Sequence, residues 1–300
     1  MPEQRELPQQ KLCKQTIIQE EHTMKTIDTH VLERYNSGME RNRLRTGIGR
    51  IEFARTKELL LEHLPPAPAM IYDIGGGYGE YAWWLASLGY EVHLFDLSET
   101  NIRMSAELSV EYPGTRLAAA EVRDARSIPR ADHSADAVLL MGPLYHILEQ
   151  DERLAAIRES RRLLKPDSIL VTAAINPYST LLWATSVFGV KNKLLRDAPF
   201  ISMAEHEIAT GEHRKPEAGA YAGLGHSHFH NAAALKEELS AGGFRYSTIY
   251  GIDGGAWMVP DLDTIWENET DREHLLRTIR MLDGHEDIIG LSTHLLGISK

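Results

Sequence analysis

From residue 70 onward the chain alternates short apolar runs with stretches whose apolar positions recur at helical spacing. Ala69–Ile74, Glu91–Asp96, Arg116–Val122, Asp136–Met141 and Ser168–Ile175 read as strands. Between them lie helices over Tyr81–Gly89, Glu99–Glu111 and Asp151–Lys165. In the last of these Leu154, Ile157 and Leu164 share one face, and Pro166 stops it. Strands separated by helices predict an α/β fold with a mostly parallel sheet and helices on both faces.

The flanks behave differently. Residues 1–27 are polar and Gln/Glu-rich without a sustained apolar period, which reads as a flexible lead with Met24 as an alternative start. Residues 28–66 read as a helical segment. A helix over Val31–Tyr35 resumes near Arg50, where Ile51, Phe53, Ala54, Leu60, Leu61 and Leu64 form a stripe that Pro65-Pro66 ends. After Ile175 the rhythm breaks. Residues 176–230 carry Pro177, Gly189, Pro199, Gly211 and Pro216, with helical stretches around Thr180–Leu195 and Ser202–Ala209. So long an excursion between a strand and the next core helix predicts a cap or lid. The sheet pattern then returns. Asn231 is placed to cap a helix carrying Leu235 and Leu239, and Gly242-Gly243 ends it. Phe244–Tyr250 and Leu291–Ile298 are the last strands, with a helix over Asp271–Leu282 between them. The expected layout is a core of 67–175 and 231–300 interrupted by a lid of 176–230.

Asp73-Ile-Gly-Gly-Gly-Tyr-Gly79 joins the first strand to the first core helix. Glycine permits a sharp turn there and lets a ligand lie against bare backbone N–H groups. The dinucleotide fingerprint G-x-G-x-x-G would need glycine at position 80, which is Glu80. That carboxylate, with Asp73 on the same side, disfavours a pyrophosphate and suits a neutral or cationic ligand bearing an amine. Asp96 ends the second strand at the adjoining edge, where an acid can accept both hydroxyls of a ribose. Asp124 follows the third strand and offers a carboxylate to the exocyclic amine of adenine. An amine, a ribose and an adenine with no phosphate describe S-adenosylmethionine. Each acid taken singly also fits a turn cap, a solvated strand end or a loop. The weight lies in their order on consecutive strand ends.

Asp73–Gly79, Asp96, Asp124 and the strand Asp136–Met141 together resemble the class I (Rossmann-like) S-adenosylmethionine-dependent methyltransferases. The resemblance is strong over 70–175 and looser across the rest of 31–300. It implies a Rossmann-like sheet and S-adenosylmethionine as cofactor. By the same resemblance Asp73, Gly75, Gly76, Gly77 and Gly79 support the methionine part. Asp96 and Leu97 meet the ribose, Asp124 and Ala125 the adenine, and Met141 and Gly142 line the cofactor. More narrowly, GPLYHI at Gly142–Ile147 and THLLGISK at Thr293–Lys300 resemble bacterial small-molecule methyltransferases of this fold. In that subgroup the N-terminal segment folds over the cofactor. This assigns Tyr35 and Arg43 to its methionine carboxylate or to the acceptor, the other reading of both being a solvated polar turn.

Methyl transfer from a sulfonium is an in-line displacement that depends on positioning, on exclusion of water and, for a protic acceptor, on a proton acceptor. Tyr145 and His146 leave the fourth strand at its carboxyl end and are the leading catalytic candidates, to orient the acceptor or take its proton. The bland reading has Tyr145 packing and His146 starting a helix. His226, His228 and His230 share one face if the segment is extended. They are candidates for the acceptor pocket; with no carboxylate within a few residues, no metal site is assigned. Trp183, Phe229 and Trp257 are candidate aromatic walls of that pocket, or simple core.

Composition narrows the acceptor. The chain carries 32 Lys and Arg against 43 Asp and Glu, a net charge of −11. That balance disfavours nucleic acid, whose phosphates are gripped by basic groups. One cysteine, Cys13, forms no internal disulfide and supplies no zinc cluster. With no membrane-spanning run and no signal-like start, the expectation is a cytoplasmic monomer or homodimer that methylates N, O or C of a small, aromatic or secondary-metabolite acceptor. The alternatives are an RNA or protein methyltransferase, or a non-catalytic S-adenosylmethionine-binding subunit. A nicotinamide dehydrogenase is more distant because of Glu80.

Overall fold

The computed structural model describes residues 39–217 and 224–300. A 3-10 turn over Met39–Arg45 leads into helix α1 (Ile48–His63). Then follow β1 (Met70–Ile74), α2 (Glu80–Ser87), β2 (Glu91–Asp96), α3 (Glu99–Leu108), β3 (Ala119–Val122) and β4 (Ala135–Leu140). The short α4 (Pro143–His146), α5 (Gln150–Leu163) and the long β5 (Leu164–Ile175) complete the first half. The segment expected to form the lid holds α6 (Ser179–Thr185), α7 (Val187–Lys191), α8 (Ala198–Thr210) and the small hairpin of β6 (Glu212–His213) and β7 (Ser227–His228). The core resumes with α9 (Ala232–Ala241), β8 (Ser247–Gly251), α10 (Leu262–Glu267), α11 (Glu269–Leu282) and β9 (His294–Ser299).

The strands form one sheet in the order β3-β2-β1-β4-β5-β9-β8. The first five are parallel, and β9 runs antiparallel to both β5 and β8. Side chains alternate across it. Tyr72, Ile74, Phe95 and Val138 pack with Leu154, Ile157, Leu235 and Leu239 on one face. Ile71, Val92, Leu94 and Leu139 pack with Leu59, Leu60 and Leu85 on the other. The carboxyl ends of β1, β2, β4 and β5 and the first residue of β9 therefore share one edge.

Several boundaries move. β3 begins at Ala119 rather than Arg116 and β8 at Ser247 rather than Phe244, whose ring is buried in the turn before the strand. Strand β5 takes over from the helix at Leu164, ahead of Pro166, and its register with β4 shifts between Ala135 and Ala137. The helix expected over Thr180–Leu195 is broken: α6 stops at Thr185, α7 restarts at Val187, and a 3-10 turn covers Leu194–Arg196. Asn231 caps α9 as expected, its side chain accepting from Ala234 N–H at 2.9 Å. Val31–Tyr35 and residues 1–27 lie outside the described residues. Among those described, no helix is long and apolar enough to cross a membrane.

Candidate active site

The glycine loop leaves β1 at the shared edge. Gly75, Gly77 and Gly79 adopt φ of +72°, +61° and +89°, a region side chains rarely enter. Gly75 has a second reason: a Cβ there would lie 2.5 Å from the Pro143 ring at the start of α4. The loop is strapped to β2. Gly75 N–H donates to Phe95 O at 2.7 Å, and Gly77 N–H donates to Asp96 Oδ2 at 2.8 Å.

The three acids differ sharply in what already holds them. Asp73 is fully buried, and among the described residues neither carboxylate oxygen has a hydrogen-bond partner. It borders a cavity of about 640 Å³, its open mouth included, that runs beneath Gly75–Gly79. Burial, and then the neighbouring charge of Asp96, push its pKa up to about 7. Asp96 is nearly buried and satisfied: besides Gly77 it accepts from Ser98 N–H at 2.8 Å and Asn101 Nδ2 at 3.0 Å. Burial still raises its pKa against those hydrogen bonds. Asp124 is taken up by Arg126, whose Nη2 lies 2.5 Å from Oδ2 and whose Nε lies 2.9 Å from Oδ1. Arg126 also reaches Glu152. Asp124 does not border the cavity; Ala125 beside it packs against the core, and Leu97 is half-buried.

Opposite the glycine loop stand Met141 and Tyr145. The Tyr145 hydroxyl donates to Met141 O at 3.2 Å, and its ring meets His146 edge-on at 4.6 Å. Gly142 lies tight on the loop, since a Cβ there would fall 2.7 Å from Gly75 O. Arg43 and Tyr81 form the outer wall. Arg43 does not stand ready for a ligand carboxylate alone, because its guanidinium grips both oxygens of Glu52 at 2.5 and 2.9 Å. Burial works to raise the Glu52 pKa, yet the charges of Arg43 and His294 hold it at about 2. Glu80 has a role the sequence reading missed. It binds Arg45 through two contacts, at 2.6 and 3.0 Å, and so clamps the N-terminal 3-10 turn onto the start of α2. Nothing in the local spacing pairs residues 35 positions apart. Tyr35 lies outside the described residues.

The lid brings its histidines to this edge, since α4 packs against β7. His228 and His230 meet edge-on at 4.5 Å. The carboxylates that local sequence lacked arrive from a distance: Glu212 lies 2.8 Å from His226 Nε2, and Glu238 lies 2.7 Å from His230 Nε2. Glu238 also takes Arg153 of α5, at 3.0 Å. Burial, then the nearby His230 and Arg153, lower the His228 pKa to about 3, so its imidazole is neutral. Phe229 is buried against the His213 ring at 4.8 Å. The two tryptophans fall elsewhere. Trp183 packs with Ala184, Leu194 and Phe200 inside the lid, and Trp257 donates to Leu291 O at 2.8 Å; neither borders the cavity. Among the described residues no group of His, Cys, Asp and Glu gathers with the geometry of a metal site.

Residues 72–172 match the family described as a methyltransferase domain. No curated protein sequence matches the chain. Among solved structures, an S-adenosylmethionine-dependent methyltransferase from Methanosarcina mazei is 21% identical, with a TM-score of 0.51 over 80% of this chain and 95% of its own. The CcbJ methyltransferase from Streptomyces caelestis is 15% identical, with a TM-score of 0.54 over 89% of this chain and 97% of its own. The [4+2]-cyclase SpnF is 17% identical, with a TM-score of 0.50 over 82% of this chain and 80% of its own. At these identities the solved structures share the fold.

Proposed function

We propose that this chain, a class I Rossmann-like S-adenosylmethionine-dependent methyltransferase, delivers the methyl group to N, O or C of a small organic acceptor of aromatic or secondary-metabolite type. The observation that carries the reading is Asp73. A buried carboxylate without a partner is costly, and a cationic ligand in the adjoining cavity supplies what it lacks. The α-ammonium of S-adenosylmethionine is such a cation, so the residues present fit the cofactor.

When bound, the cofactor supplies a methyl group activated on a sulfonium. Asp73 and the backbone of Gly75, Gly76, Gly77 and Gly79 hold its methionine end. Asp96 and Leu97 serve the ribose, and Met141 and Gly142 line it. Asp124 and Ala125 remain the assignment for adenine, with the Arg126 clamp limiting what Asp124 can accept. Tyr145, anchored on Met141 O, orients the acceptor with His146 beside it. The lid, seated on α4 through β7, excludes water. A lid and a net charge of −11 favour a small acceptor over RNA. In the same reading the protein works in the cytoplasm as a monomer or homodimer.

Titration calorimetry with S-adenosylhomocysteine tests the cofactor site. Micromolar binding is expected in the wild type, with a loss of roughly 100-fold in Asp96→Ala from the hydrogen bonds to a charged group that are removed. Labelled S-adenosylmethionine incubated with a mixed cell extract tests the acceptor. Label entering the low-molecular-mass fraction supports the reading; label in RNA or protein overturns it.

A further inference from the structure

Two residues of the 3-10 turn before α1, Arg43 and Leu44, border the cofactor cavity, as do Gly75–Gly79 and Glu80 at the start of α2. Arg45, the next residue of the turn, joins the two. Its guanidinium grips both oxygens of Glu80, at 2.6 and 3.0 Å, and Nη1 lies 3.0 and 2.9 Å from the two oxygens of Glu111, just after α3. The two contacts differ in their access to water. The Glu80 side chain is 6% exposed, whereas those of Arg45 and Glu111 are 38% and 47% exposed. Without Arg45, Glu80 would be a buried charge lacking its counter-ion, which favours the joined state. Glu111 stands where salt reaches it. Behind the clamp, Arg50 of α1 donates to Arg45 O at 2.8 Å. Gly47, between the turn and α1, has φ +50°, and a Cβ there would meet nothing within 4 Å. A glycine at the end of a helix, with open space around it, is a place where the chain can pivot.

We propose that Arg45, Glu80 and Glu111 form an ionic latch that sets the rate at which S-adenosylmethionine enters the cavity and S-adenosylhomocysteine leaves it. The turn is the door, Gly47 its pivot, and Arg45 the positioning residue that holds Arg43 and Leu44 against the cavity. Ligand passes when the clamp is broken. Loosening the clamp populates the open state more, with and without ligand, and so speeds entry and exit by the same factor. Affinity, the ratio of the two rates, changes little. Because salt screens the exposed contact with Glu111, both rates rise with ionic strength. A rise in the association rate separates a latch from steering, since screening slows the arrival of a ligand that is drawn in by opposite charge. This inference rests on the methyl-transfer reading above.

Surface plasmon resonance of S-adenosylhomocysteine on the immobilised full chain reads both rate constants. Arg45→Met should raise each roughly tenfold, the size usual for removing hydrogen bonds between charged groups, with Kd within about threefold of wild type. Arg45→Lys keeps the charge without the fork and should restore part of the slow exchange. Glu111→Gln, at the exposed contact, should raise both constants about two- to threefold and flatten the wild type's acceleration between about 0.05 and 0.5 M NaCl. Dissociation that quickens in Arg45→Met while association stays at the wild-type value would make Arg45 a plain affinity residue and overturn the latch. Rates within twofold of wild type would overturn it as well. If Arg45→Met does not fold, Glu111→Gln carries the test, and rates in it equal to wild type at every salt concentration refute the proposal. A wild type that binds no S-adenosylhomocysteine strikes the preceding section's reading instead.

Discussion

The two walls of the crevice are made of different material. The cofactor wall is backbone: four glycines within five positions, a carboxylate two residues before them, and hydrogen bonds to the end of the next strand. The facing wall is side chains gathered from farther apart, with Arg43 from the N-terminal turn, Tyr81 from α2, Met141 from the end of β4 and Tyr145 from α4. In the first wall an added Cβ would collide with the Pro143 ring at Gly75 and with Asp73 at Gly76, and Gly77 and Gly79 hold positive φ. The second includes the Arg43–Glu52 pair, whose members can be exchanged one at a time. Substitutions should therefore be all-or-none on one side and graded on the other.

The largest effect should come from Gly75→Ala. A side chain at φ +72° is strained, and its Cβ would meet the Pro143 ring at 2.5 Å. We expect a loss of roughly 2–4 kcal/mol of stability, read by urea denaturation, together with loss of S-adenosylhomocysteine binding. A variant that binds normally would end the distinction between the two walls.

Next comes pH. The Asp73 carboxyl titrates at about 7 when folded, against an ordinary 3.8. Between those values the folded state holds a proton the unfolded chain has lost. Stability contributed by this group is therefore complete in acid and declines as pH rises toward and through 7. Binding of a cation needs the carboxylate, so affinity moves the opposite way. S-adenosylhomocysteine should bind about tenfold more weakly at pH 6 than at pH 8, with proton release seen by calorimetry in buffers of different ionisation enthalpy. Asp73→Asn should flatten both profiles; profiles that keep their slope in that variant would remove Asp73 from the site.

Legibility in the sequence divides along the same line. β2 was read at its observed limits, Glu91–Asp96, because period and turn residues are local signals. Asp73 and the glycines are contiguous, so one glance along the chain finds them. Asp124 is placed only by its position after β3, and the fold shows its carboxylate held by Arg126. The Glu80–Arg45 clamp, the Glu212 and Glu238 partners of the lid histidines, and the Asp253–Thr293–His294 chain join distant positions. Only the folded sheet brings them together. Trp183 and Trp257 misled because an aromatic residue fills a core as readily as it walls a pocket.

The smallest effect sharpens the contrast from outside both walls. Asn231→Ala removes the cap of α9 and should cost about 1 kcal/mol in denaturation while leaving ligand binding intact. A change in affinity would mean that the lid's return point is coupled to the crevice.

The order of strands has a consequence for biosynthesis. β9 occupies the seat between β5 and β8, and among the described strands β8 pairs with β9 alone. A nascent chain that has emerged through β8 but not β9 therefore presents a bare β5 edge and a strand with nothing to zip onto, the kind of surface on which partly made chains stick to one another. A ribosome stalled before residue 294 thus leaves an adhesive fragment.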